Sequence, residues 1–165
     1  MTGMAQSHYS LGMNYYHGKG VEQSFSEALK WFRLAAQENY SRAFFMLGRM
    51  ADAGKGMEQS PEEAIKWYRL AAKEEYARAQ NQLGQCYFKG RGVEPSFDEA
   101  LKWFRMAAAQ NFSDAQYNLG LMYAKGEGRP QDYVLAHFWV NLSASLSSSD
   151  LRNIAVESRE KIANW

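Results

Sequence analysis

Cysteine is almost missing from this chain: Cys86 is the only one among 165 residues. No disulfide can close within the chain and no thiolate metal cluster can form, a usage that favours a reducing compartment. An excess of one charge is missing too. Basic and acidic residues are interspersed and balance to a net charge of +1, which gives nucleic acid and anionic membrane surfaces nothing to grip and argues against both as partners. Long apolar runs are absent, since no stretch approaches the roughly 18 residues of a membrane span, and membrane insertion is not expected. The opening MTGMAQSHYS lacks the basic start and apolar run of a secretory leader. The expectation is a cytoplasmic protein as given, periplasmic or secreted if a leader was removed beforehand.

What is present is a core-forming composition, 46% hydrophobic, sufficient for one compact unit at this length. It is also repetitive. EALKWFRLAA from Glu27 returns as EAIKWYRLAA from Glu63 and as EALKWFRMAA from Glu99. Leu11-Gly12 recurs as Leu47-Gly48, Leu83-Gly84 and Leu119-Gly120, each time after 36 residues (47 minus 11, and so on). Trp31, Trp67, Trp103 and Trp139 keep the same interval, as do four Gly-x-Gly turns that begin at Gly18, Gly54, Gly90 and Gly126. A period of about 20 to 50 residues marks a solenoid or array.

Each unit reads as two helices. In the second, Ala28, Trp31, Phe32, Ala35 and Ala36 share one face, with Glu27, Lys30 and Arg33 opposite. Ser24 with Glu27, Ser60 with Glu63 and Ser96 with Glu99 have capping-box spacing, and Pro61 suits a first helical turn. The first helix of each pair ends at the Gly-x-Gly turn, whose glycines can take the left-handed conformation that closes a helix. A phosphate loop would need a preceding strand and a third glycine; Gln23, Gln59, Pro95 and Gln131 stand where that glycine belongs.

The fourth unit departs from the pattern. Phe138 replaces Lys30, Lys66 and Lys102, and Asn141 replaces Arg33, Arg69 and Arg105, so a wet face turns partly apolar and needs cover. A final helix over 149–165, capped by Asp150 and striped by Leu151, Ile154, Ala155 and Ile162, is expected to supply it.

The string LGQCYFKGRGVEPSFDEALKWFRMAA, from Leu83 to Ala108, resembles the Sel-one-like repeat, a relative of the tetratricopeptide repeat. The resemblance rests on Leu-Gly, Tyr87, the Gly-x-Gly-Val turn, Glu99-Ala100, Trp103-Phe104 and Ala107-Ala108. Four copies are expected over 5–146, at about 5–40, 41–76, 77–112 and 113–146. Two departures stand out: Ala51 replaces the tyrosine, and Asn39, Glu75 and Asn111 occupy a position the family usually gives to glycine. Asn tolerates the left-handed geometry, whereas Glu75 should be strained by it. The resemblance implies an all-α, right-handed α-solenoid of helix pairs that binds proteins as an adaptor, regulator or exported bacterial effector, without catalysis and without a cofactor.

In the related tetratricopeptide fold the first helices line a concave face, and the Leu-Gly landmark transfers those positions to this chain. They are Tyr9, Met13, Tyr16 and His17 in the first unit and Phe45, Arg49 and Asp52 in the second. The third contributes Asn81, Gln85, Phe88 and Lys89, and the fourth Tyr117, Leu121 and Lys125. Aromatic surfaces with Arg and Met nearby suit a protein or peptide partner, although aromatics at helical spacing can equally pack between helices. The four tryptophans lie on the apolar face with alanines and read as core. His8, His17 and His137 lack ligand spacing for a metal, His137 merely replacing Leu29, Ile65 and Leu101 at a partly buried position, and Cys86 reads as packing.

The expected function is a non-catalytic scaffold holding a peptide or protein segment in the groove. One alternative is an effector or assembly factor that binds through its N-terminal end. Another is a peptidoglycan-active or penicillin-binding enzyme, for which Ser158 to Lys161 supplies Ser-x-x-Lys without the companion Ser-Asp-Asn and Lys-Thr-Gly motifs.

Overall fold

The computed structural model describes residues 2–146; the expected helix over 149–165 and the Ser-x-x-Lys motif lie outside the described residues. Among the described residues the chain is all-α, with eight helices and no strand. They are α1 (Thr2–His17), α2 (Phe25–Gln37), α3 (Ser41–Ala53), α4 (Pro61–Lys73), α5 (Ala77–Lys89), α6 (Phe97–Ala109), α7 (Ser113–Lys125) and α8 (Tyr133–Leu146). The odd-numbered helices are the first of each pair, the even-numbered the second. Helix pairs repeated in this way form an α-solenoid class of fold.

The chain divides into two compact units where length alone suggested one: Met1–Ala79 with Arg91–Glu94, and Gln80–Gly90 with the segment that begins at Pro95. In a repeat chain each element packs mainly on its neighbours, so no single core has to span the whole length.

Starts and stops of the helices follow from the residues. The Ser24, Ser60 and Ser96 side chains accept hydrogen bonds from the Glu27, Glu63 and Glu99 amides at 3.2, 3.1 and 3.3 Å. The reciprocal half of the box is replaced. The cap amides of Ser24, Ser60 and Ser96 donate instead to the Tyr15, Ala51 and Tyr87 carbonyls of the preceding helix, which ties each helix pair together. In the fourth pair Asp132 takes the serine's place, its carboxylate accepting from the Leu135 amide at 2.9 Å and its own amide donating to Tyr123. The glutamines that stood where a phosphate loop needs glycine are structural, since Gln23, Gln59 and Gln131 donate to the Tyr16, Asp52 and Ala124 carbonyls. Those carbonyls lie in the last turns of the first helices, beyond the reach of the intrahelical amides, and that of Asp52 also accepts from Arg91 Nη2 at 3.4 Å.

In the first unit the core is built from Phe32, Leu47, Met50 and Tyr68 with alanines 28, 35, 64 and 71, all essentially inaccessible. In the second it is Leu83, Phe104, Leu119, Met122 and Val140. The Leu-Gly pair explains itself here: a Cβ on Gly48 would lie 2.5 Å from the Tyr68 ring. Glycine lets the second helix press an aromatic ring directly on the first.

The tryptophans correct the sequence reading. Trp31, Trp67, Trp103 and Trp139 are half-buried, and the sealed slot goes to the next residue, Phe32, Tyr68, Phe104 or Val140. The indoles sit at the edge of the core, where the N–H groups of Trp31 and Trp103 are nonetheless buried without a hydrogen-bond partner. Trp67 stacks on Phe44 at 6.1 Å and donates from Nε1 to Glu63 at 3.2 Å. His137 is likewise exposed, hydrogen-bonded to Asn141 at 2.9 Å, and does not inherit the burial of Leu29, Ile65 and Leu101.

Candidate functional site

The positions transferred onto the first helices separate into buried and accessible sets. In the first unit Tyr16 and Phe45 are buried. Phe45 packs on Tyr68 at 5.7 Å and on Tyr76 at 5.4 Å, and Tyr9 is half-buried against Phe32 and Tyr40. Burial holds the Tyr9 phenol above its ordinary range, with the neighbouring Tyr76 adding to the effect. Asp52 is engaged by Arg91, whose Nε lies 3.0 Å from Oδ1. Met13 is half-buried, while His17 and Arg49 are exposed. This part of the row is mostly packing, with Arg49 its freest member.

In the second unit the transferred residues converge. Gln85, Phe88 and Lys89 from α5 meet Leu121 and Lys125 from α7 around one cavity of about 140 Å³. A cavity of that size admits a group as large as benzene. Met122 and Phe104 supply further apolar wall, Asn118 an amide, and Glu127 a carboxylate. Asn81, buried, lies outside this lining but positions it, its Oδ1 accepting from Asn118 Nδ2 at 3.0 Å. Tyr117 is half-buried elsewhere on α7.

Apolar wall, amides and charges of both signs make a surface that can bind a side chain and fix its orientation. They do not assemble a nucleophile beside a base. Among the described residues no group of three or more His, Cys, Asp or Glu could hold a metal ion, and no helix is long and apolar enough to cross a membrane. His8 is occupied by Glu38 at 3.0 Å and by the Trp31 ring, and Cys86 is buried.

Phe104, Met122, Asn118 and Glu127 were missed from sequence. Phe104 comes from a second helix and Glu127 from a turn, whereas the transfer drew on chosen positions of the first helices. A signal existed: Glu127 inverts the charge of Lys19, Lys55 and Arg91, its counterparts in the other three turns.

Comparison with known proteins settles the ancestry of the helix pairs. The Sel1 repeat family model matches four times, over residues 5–40, 41–76, 77–112 and 113–148. The chain belongs to the Sel1 repeat family. Such repeats often mediate protein–protein interactions and are generally non-catalytic scaffolds.

Among solved Sel1-type structures, the chain is similar to a protective antigen of uropathogenic Escherichia coli displaying an SLR fold. Identity is 35% over 89% of this chain and 32% of that one, with a TM-score of 0.85. It is also similar to a Sel1 repeat protein from Oxalobacter formigenes, at 32% identity over 86% of this chain and 56% of that one, TM-score 0.81. The chain thus spans about a third of the first relative and little more than half of the second. Cysteine rich protein B of Helicobacter pylori shares the fold at 19% identity, TM-score 0.59, over 76% of this chain and 96% of that one. Among curated proteins there is no significant match.

Proposed function

We propose that this Sel1 repeat chain is a non-catalytic interaction scaffold that binds a peptide or protein segment on the first-helix faces of its repeats, with the cavity in the second unit as the anchoring point. The observation that carries the reading is the convergence of Gln85, Phe88, Lys89, Leu121 and Lys125, chosen from repeat position alone, around one cavity. Anchors that fill a desolvated pocket dominate interface energetics, so one such cavity outweighs a broad exposed face.

Peptides selected by phage display against the full chain test this. They should lose at least tenfold in affinity when Leu121→Asp places a charge in the apolar wall, with circular dichroism unchanged. Peptides that bind wild type and variant equally would move the site elsewhere, in keeping with the alternative of an N-terminal binding end. A selection that yields no binder would remove the scaffold reading. Covalent labelling of Ser158 by a reporter penicillin would bring the enzyme alternative forward.

A further inference from the structure

The residue between the two glycines of each turn plays a recurring part in the first unit. Lys55 reaches back to the preceding repeat, where its Nζ donates to the Tyr16 hydroxyl at 3.0 Å. It lies 4.9 Å from the Tyr16 ring centre and 5.0 Å from that of Phe25, two rings that pack on each other at 5.3 Å. Thirty-six residues on (91 minus 55), Arg91 repeats the reach and pairs with Asp52. In both cases a cation from the turn neutralises or caps the end of the earlier first helix.

The second unit rebuilds the receptor half of this arrangement and omits the cation. Phe88 and Phe97 stand 72 residues after Tyr16 and Phe25 (88 minus 16, 97 minus 25) and also pack on each other, tilted rather than edge-on, at 5.5 Å. Where Lys55 would recur stands Glu127, which lines the cavity together with Phe88. Its Oε2 atom is buried and has no hydrogen-bond partner. A carboxylate oxygen withdrawn from water without a donor is unfavourable unless something supplies one. Lys89 and Lys125 line the same cavity but are exposed, and neither forms an ion pair with Glu127.

We infer that this cavity holds a cationic side chain, arginine or lysine, of the bound peptide. Its aliphatic stem lies on Phe88, Leu121 and Met122, its charged head pairs with Glu127, and the Phe88 ring adds a cation–π contact. The peptide supplies the cation that Lys55 supplies within the first unit. The inference rests on the scaffold reading above and specifies its anchor.

Amide chemical shifts of the full chain, titrated with the methylamides of Nα-acetyl-arginine, Nα-acetyl-norleucine and Nα-acetyl-glutamate, decide it. The arginine probe should move the amides of Phe88, Leu121 and Glu127 and bind at least fivefold more tightly than either other probe. Glu127→Gln should weaken it at least fivefold. Glu127→Lys should abolish binding while raising the melting temperature, because the chain then supplies its own cation as it does at Lys55. Equal binding of arginine and norleucine, undiminished binding to Glu127→Gln, or preference for glutamate through Lys89 and Lys125 would overturn the inference. Selected peptides that lack a basic residue, lose affinity in Leu121→Asp and keep it in Glu127→Gln would also overturn it, yet leave the scaffold reading standing.

Discussion

Three residues show how local geometry sets the cost of a change. Glu75 has φ of +56°, as do its counterparts Asn39 at +56° and Asn111 at +59°, so the left-handed turn expected from the family's usual glycine is kept with a strained side chain. Glu75→Gly should be neutral or stabilising by up to about 1 kcal/mol in denaturant titration, since glycine adopts this geometry without a Cβ penalty. Gly48→Ala runs the other way. Alanine gains about 1 kcal/mol in helix propensity, but a Cβ 2.5 Å from the Tyr68 ring forces repacking that costs about 1 to 3 kcal/mol, and net destabilisation is expected. Tyr123 is buried, which raises its pKa, yet hydrogen bonds from Arg105 at 2.7 Å and Arg129 at 3.3 Å prevail and hold the phenol below its ordinary value. A depressed folded pKa means that the unfolded chain binds more protons between the two values, so stability from ionisation grows as pH rises toward about 10 and is lost as pH falls through the folded pKa. The melting temperature of wild type relative to Tyr123→Phe should therefore climb as pH rises toward about 10, the unfolded tyrosine value; a constant difference would remove the ionic contribution.

At the scale of the element, the second helix of each pair divides its labour between adjacent aromatics. Tyr68 is 1% exposed and closes on Gly48, whereas Trp67 is half-buried and ties its N–H to Glu63. Tyr68→Ala should cost about 3 to 5 kcal/mol, the range for deleting a buried aromatic, and Trp67→Ala about half as much, read from urea midpoints at constant slope. A larger loss at Trp67 would place the main packing burden on the indole. Periodicity could not separate the two, because residues at i+3 and i+4 both fall within one apolar stripe. The serine caps were legible, for they need only a short side chain three residues before an amide. The glutamate half was not, because the cap amides find carbonyls of another helix.

For the whole molecule, stability is distributed over neighbouring contacts, so damage in one repeat weakens the adjacent ones before distant ones. The last described helix carries an apolar exposed row: Val134 is 80% exposed and Phe138 52%. If residues beyond 146 supply a cover, as the sequence pattern suggests, removing 148–165 should increase self-association in sedimentation and lower the stability of the fourth pair. A truncated chain that stays monomeric and equally stable would discard the cover. The proposed binding surface was legible only in part at this scale. Of the residues that repeat position placed on a partner-binding groove, Gln85, Phe88, Lys89, Leu121 and Lys125 line the cavity, whereas packing withdraws Tyr16, Phe45 and Asn81 from solvent.

Local sequence was enough for the period, the helix pairs, their serine caps, the left-handed turns and the family, because each of these depends on residues close along the chain. Tertiary packing settled which of two adjacent aromatics is sealed and which edges the core. It also settled that five separated side chains share one cavity and that Glu127 lies in its wall with an unpaired oxygen. Those outcomes depend on how one helix pair presses on the next, and side-chain burial is a property of that contact that no spacing within a single helix encodes.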